Sequence, residues 1–130
     1  MTVNEKELAE RVIRISGVNT KKCMKCGKCS GRCPAFADMD IKPHQFVSML
    51  CQGKIDELLE SQAIWSCLSC MACVERCPRG VAPANVIEAV RQEVIRAQGG
   101  NKVQAEGIPA IVDEAIPQQL LVSMFRKLNK

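Results

Sequence analysis

Tyrosine is missing from this chain, and its 130 residues include only three Phe and one Trp. The sequence therefore forgoes most of the side chains that bury about 150–250 Å² each in ordinary cores. No apolar run approaches the roughly 18–20 residues a bilayer span needs, so no membrane insertion is expected. The opening stretch MTVNEKELAERV carries three Glu and no apolar h-region, so it does not read as a secretory signal. A cytoplasmic, reducing setting is the expectation, and there thiols meet metals more often than they form disulfides. No segment alternates with period two, which argues against a hairpin-built sheet. No G-x-G-x-x-G follows a strand pattern, so no dinucleotide fold is expected. The single histidine, His44, has no nucleophile beside it and reads as a surface or helix-capping residue, so no catalytic residue is assigned. With so few aromatic platforms for bases, nucleic acid is not an expected partner either.

What the chain has in excess is cysteine, nine residues in all. Cys23, Cys26, Cys29 and Cys33 form C-x2-C-x2-C-x3-C before Pro34. Cys67, Cys70, Cys73 and Cys77 repeat the run before Pro78, each position recurring at an offset of 44 residues. Only Cys51 lies outside the two runs. It falls on an apolar stripe with Val47, which favours a buried, inert thiol over a redox-active one. Paired C-x2-C knuckles far apart would be the usual zinc pattern. A triplet at i, i+3 and i+6 instead wraps a multi-atom cluster, and the fourth Cys before Pro serves the other cluster in two-cluster proteins. The expected cofactors are therefore two [4Fe-4S] clusters. One takes Cys23, Cys26, Cys29 and Cys77; the other takes Cys67, Cys70, Cys73 and Cys33. Structural zinc is the alternative. Cross-linking of distant segments by the metal would replace part of the missing aromatic core, so the apo chain should fold poorly.

The formal charge of +4 changes meaning once clusters are counted, because each oxidised cubane with four thiolates carries about −2. Between Arg11 and Arg32 stand seven basic residues and no acid: Arg11, Arg14, Lys21, Lys22, Lys25, Lys28 and Arg32. They read either as a solvated face that balances the cluster charge or as a surface for an acidic partner.

Helical signals fill the spaces between the runs. Asn4 and Glu7 resemble a capping box, with Leu8, Val12 and Ile15 on one face and Gly17 as the stop, giving a helix over 5–16. Pro43 opens a second helix with Phe46, Val47, Leu50 and Cys51 as its apolar stripe, ended by Gly53. Ile55, Leu58 and Leu59 mark a short third. Pro83 opens the clearest one, with Val86, Ile87, Val90, Val94 and Ile95 aligned and Gly99-Gly100 closing it. The 33 residues between Cys33 and Cys67 read as helices, so the expected fold is an all-α ferredoxin; a ferredoxin-like sheet with an insertion is the alternative.

The stretches CMKCGKCSGRCPAF, PHQFVSMLCQGKIDELL and IWSCLSCMACVERCPRGV resemble the iron–sulfur C subunit of heterodisulfide reductase and its relatives, over about residues 20–98. The resemblance implies an α-helical ferredoxin with two [4Fe-4S] clusters inside a multi-subunit redox complex. There it would relay electrons between a flavin-containing subunit and a disulfide- or thiol-reducing catalytic subunit. Similar helical modules occur in other dehydrogenase complexes, and a free-standing ferredoxin-type carrier is a further reading. A metal-stabilised regulatory or binding module, on iron–sulfur or zinc, is the non-redox one. Adjacent Cys-Cys pairs, as in longer relatives with substrate domains, do not occur. The chemistry is therefore expected on another chain.

Trp65, two residues before Cys67, is expected to pack and to shield the neighbouring cluster. Met24 and Met71 fill the cysteine loops. The domain reading is a ferredoxin domain over 1–100 and a C-terminal docking extension over 101–130. In the extension, Gly107, Pro109 and Pro117 prevent one continuous helix over 101–117. Gln118–Leu128 then places Leu121, Met124, Phe125 and Leu128 on one face, either for a partner subunit or for the chain's own core.

Overall fold

A computed structural model describes residues 3–98, 104–110 and 112–129. Among them there is no strand; the fold is all-α. The chain separates into two compact units, Met1–Arg91 and Gln92–Lys130.

In the first unit, α1 (Val3–Ser16) ends at Gly17, whose N–H bonds the Ile13 carbonyl at 3.0 Å with φ +65°. That is the left-handed cap glycine adopts most cheaply. Because the helix already includes Val3, Asn4 stands within the first turn, too late to cap it as its spacing suggested. A short α2 (Lys28–Gly31) carries Cys29, and α3 (Pro43–Gln52) follows with Pro43 in its first turn. The Gln45 side chain accepts from the Lys42 backbone N–H at 2.7 Å, fixing the entry of α3. Pro43, Phe46, Val47 and Leu50 face the core. Cys51, one step round the helix from Leu50, is exposed. The expected buried thiol is thus corrected: four larger apolar side chains define the inward face, and Cys51 lies past its edge.

Then come α4 (Ile55–Glu60), α5 (Ala63–Ser66), α6 (Ala72–Glu75) and α7 (Pro83–Gln98). The stop expected for α7 at Gly99-Gly100 lies outside the described residues. Among the packed pairs are α1 with α4, α3 with α4, α2 with α3, α2 with α6, and α3 with the 3₁₀ turn Thr20–Lys22. Val12, Phe46, Val47, Leu58, Ile64, Val86, Ile87 and Val90 are wholly or almost wholly buried, each worth about 1.5–3 kcal/mol for the larger side chains. Aliphatic residues thus do the work that aromatics do elsewhere.

The second unit holds a 3₁₀ turn, Ala105–Ala110, and α8 (Gln118–Leu128) after Pro117. No residue of α8 is buried; Leu121, Met124, Phe125 and Leu128 are half-buried, while Leu120 and Val122 are exposed.

Candidate metal centre

The 44-residue repeat of the sequence is also a repeat of backbone shape. Cys23 and Cys67 share extended conformations, φ −69°, ψ 120° and φ −62°, ψ 120°. Two residues on, Lys25 and Ser69 are left-handed at φ 56° and 54°. Gly27 and Met71 follow with φ 74° and 61°. Next come the equivalent single turns α2 and α6, and then Cys33 and Cys77 donate their N–H groups to the carbonyls of Ser30 and Val74 at 3.1 and 3.3 Å. Among the described residues, Lys25, Ser69 and Met71 are the non-glycine positions with positive φ. Such a conformation costs about 1–2 kcal/mol, and here it curls each cysteine loop back on itself.

The loops bring distant thiols together. Cys23, Cys26 and Cys29 line one hollow with Cys77, from the other run. Lys25, His44 and Arg79 line it too, and no carboxylate does. Cys33 in turn lies near Cys67 and Cys70. Burial raises its pKa first, and the charges of Cys67 and Cys70 raise it further, against Lys42. Cys29 and Cys73, each 8% exposed, meet in one apolar cluster with Ala84. Burial pushes the Cys29 thiol up, hydrogen bonds at Ser30 opposing it. Cys73 is pushed up to about 11, chiefly by burial, with Cys67, Cys29 and Cys70 adding to the rise. Thiols so placed hold their protons until a cation compensates the thiolate. None of the nine cysteines is joined in a disulfide.

The donor set fits a polynuclear iron group. Four cysteine sulfurs line the hollow, the all-thiolate donor set that such a group takes. The surroundings supply hydrogen-bond donors rather than negative charge: the Val81 N–H reaches Cys77 Sγ at 3.3 Å.

Three residues near the thiols escaped the sequence reading of sites. His44 is not a cap: it is half-buried, its Nδ1 lies 2.6 Å from Ser30 Oγ, and its backbone N–H donates to that oxygen at 3.1 Å. Ser30 in turn neighbours Cys29. Asp40 accepts from Ser61 Oγ at 2.7 Å and from the N–H groups of Ala63 and Gln62 at 2.8 and 3.1 Å. It thereby anchors the start of α5, which leads to Cys67. Burial raises its carboxyl pKa, but the hydrogen bonds from Ser61, Ile41, Ala63 and Gln62 outweigh burial and leave it lowered. Arg91 is fully buried. Its Nε donates to the Ile64 carbonyl at 2.6 Å and its Nη2 to the Cys67 carbonyl at 3.3 Å. The sequence signal for Arg91 was its place four residues after Ile87 and four before Ile95, on the buried stripe of α7. Trp65 is half-buried.

Similarity to known proteins agrees with this arrangement. Residues 19–81 match the family described as the 4Fe-4S dicluster domain. The class is therefore a 4Fe-4S dicluster protein of all-α architecture. The chain is 32% identical over 93 residues to the C subunit of the H(2):CoB-CoM heterodisulfide,ferredoxin reductase of Methanothermobacter thermautotrophicus, covering 72% of this chain and 50% of the relative. It is 36% identical over 90 residues to the C subunit of the ferredoxin:CoB-CoM heterodisulfide reductase of Methanosarcina acetivorans, 68% of this chain and 36% of the relative. A protein of Archaeoglobus profundus, named as resembling the C subunit of heterodisulfide reductase, matches at 30% over 110 residues, 84% and 58% of the two chains. The chain belongs to the family of the heterodisulfide reductase C subunit and its relatives, and it spans about half the length of the curated relatives it matches.

Proposed function

We propose that this chain is the electron-relay subunit of a heterodisulfide-reductase-like oxidoreductase complex. It carries two [4Fe-4S] clusters, one on Cys23, Cys26, Cys29 and Cys77 and the other on Cys67, Cys70, Cys73 and Cys33. The observation that carries the reading is the hollow in which three thiols of one run are joined by the last thiol of the other. A bound cluster supplies one-electron transfer at thiolate-ligated iron. The protein's part is to set the sulfurs, to keep Cys29 and Cys73 away from water, and to hold the two ligand sets side by side. Residues 1–100 form the relay domain in this reading, and 101–130 form an extension that docks on a partner.

Two features support exposed ends for such a relay. Met24 and Leu68, each one residue after the first Cys of its run, are 59% and 61% exposed. The loop at Met24 is strongly basic, through exposed Lys21, Lys22, Lys25 and Lys28, whereas Ser66, Ser69 and Met71 leave the loop at Leu68 without charge. One end thus suits an acidic partner surface and the other a neutral, more apolar one. The partners we infer are a flavin-containing subunit and a disulfide- or thiol-reducing catalytic subunit, and the compartment is the cytoplasm. Among the described residues no helix is long and apolar enough to cross a membrane.

The test is anaerobic isolation from the native host with iron, sulfide and subunit analysis. About eight Fe and eight sulfide per chain, together with flavoprotein and thiol-reductase subunits, is the expected result. Full iron with no partner subunit would favour a free carrier. Zinc without sulfide would end the redox reading.

A further inference from the structure

We propose that the buried guanidinium of Arg91 raises the reduction potential of the centre held by Cys33, Cys67, Cys70 and Cys73, and that Glu88 moderates it. This inference rests on the ligand assignment made above. Arg91 is 0% exposed, and a fully desolvated cation costs several kcal/mol unless negative charge or good hydrogen-bond acceptors surround it. Two of its partners are carbonyls, those of Ile64 and Cys67, and the second belongs to a proposed ligand. Its carboxylate partner, Glu88 at 2.8 Å, is 38% exposed, so its charge is partly spent on water. The remaining compensation is at hand in the anionic thiolate set that starts at Cys67.

Reduction adds one electron to that set. A fixed positive charge in a poorly solvated position stabilises the added charge, and the potential rises. Arg91 acts through the Cys67 backbone and the local field, so it is a positioning and tuning residue. Among the described residues, the other centre has no buried counterpart. Aligning α3 with α7 at their first prolines, Pro43 and Pro83, brings buried Phe46, Val47 and Leu50 onto buried Val86, Ile87 and Val90. The same register sets exposed Cys51, a residue with no cationic side chain, opposite Arg91. The lysines around the first loop are exposed, where water and salt screen them. The internal repeat thus carries a buried guanidinium on one side only.

The experiment is a potentiometric titration of the anaerobically purified full chain, followed by paramagnetic resonance, on parent, Glu88→Gln, Arg91→Lys and Arg91→Met. Glu88→Gln keeps an oxygen to accept from Arg91 and removes one negative charge, so one midpoint should move up. Arg91→Met should move that same midpoint down, Arg91→Lys should hold it near the parent value, and the second midpoint should stay put in all three. The moving midpoint should be the one altered by Cys70→Ser. Unchanged midpoints in iron-replete Glu88→Gln and Arg91→Met would make Arg91 a mechanical brace and overturn the proposal. Should Arg91→Met lose iron, Arg91→Gln, which keeps side-chain N–H donors and removes the charge, decides: a downward shift of that midpoint upholds the proposal and no shift overturns it. A parent chain with fewer than two iron–sulfur centres would instead fail the ligand assignment, and the tuning role with it.

Discussion

At the scale of single residues, the crossing of ligands between runs is the most exposed claim. Cys77 lies next to Pro78 and four residues before Val81, yet it lines the hollow of Cys23, Cys26 and Cys29. Cys77→Ser should therefore cost about half of the iron and sulfide, and the surviving spectrum should be that of the centre on Cys67, Cys70 and Cys73. Loss of that second signal instead would mean that each run closes on itself. The gathering of these cysteines was legible because the spacing of each run, repeated at 44 residues, encodes the loop it folds into. Asp40 was not legible, because its partners lie 21 to 23 residues away and no local pattern announces an acceptor for a remote helix start. Removing it leaves the first N–H groups of α5 and the Ser61 hydroxyl without their carboxylate, so Asp40→Ala should cost about 0.5–2 kcal/mol. The lowered pKa sets the pH window. The contribution is complete above the unfolded carboxyl value of about 3.9 and fades only as pH falls through the lower folded value. The loss in thermal midpoint of the iron-loaded variant should accordingly be the same at pH 6 and pH 8. A gap that widens or closes across that range would refute the stabilising role given to Asp40.

At the scale of elements, the chain is a duplicated loop-and-turn held against helices. The duplication was readable from spacing, and the helices from apolar periodicity: α3 and α7 start at their prolines, and Gly53 closes α3. The left-handed corners were not readable, since Lys25, Ser69 and Met71 occupy them without glycine. Gly27 is the one corner where sequence and conformation agree. A Cβ added there would meet no protein atom within 4 Å, so as far as the chain itself is concerned the penalty of Gly27→Ala is conformational. We expect a loss of about 1 kcal/mol in stability with iron content unchanged, because Met71 already holds the equivalent corner with a side chain. Iron loss in Gly27→Ala would show that the loop needs glycine for close approach to its cluster. Cys51 makes the complementary point. Periodicity set it on the stripe of α3, but a stripe has edges, and packing against α2 and α4 decides which residues fall outside.

At the scale of the whole chain, the distribution of exposed residues bears on where electrons enter and leave. All eight proposed ligands precede Pro78, within the first unit, whereas α8 lies in the second and buries none of its residues. Its half-buried face of Leu121, Met124, Phe125 and Leu128 has Arg126 and Lys127 between its last two members, and Leu120 and Val122 add exposed apolar surface. An amphipathic helix of this kind suits a groove on a partner subunit. Deleting Gln118–Lys130 should therefore leave iron content, cluster spectra and both midpoints as in the parent while weakening recovery of partner subunits in anaerobic pull-downs. Loss of clusters with assembly retained would return the helix to the chain's own core. The relay reading also requires that the isolated chain accept and donate electrons without turning over substrate. The Ser30 hydroxyl that meets His44 is buried at 3% exposure, and the sequence carries no dinucleotide fingerprint, so artificial reductants should reduce the clusters while disulfide substrates stay intact. If the purified chain alone reduced a disulfide as fast as the assembled complex, the catalytic centre would lie here after all, and the wire would have to be reread as an enzyme.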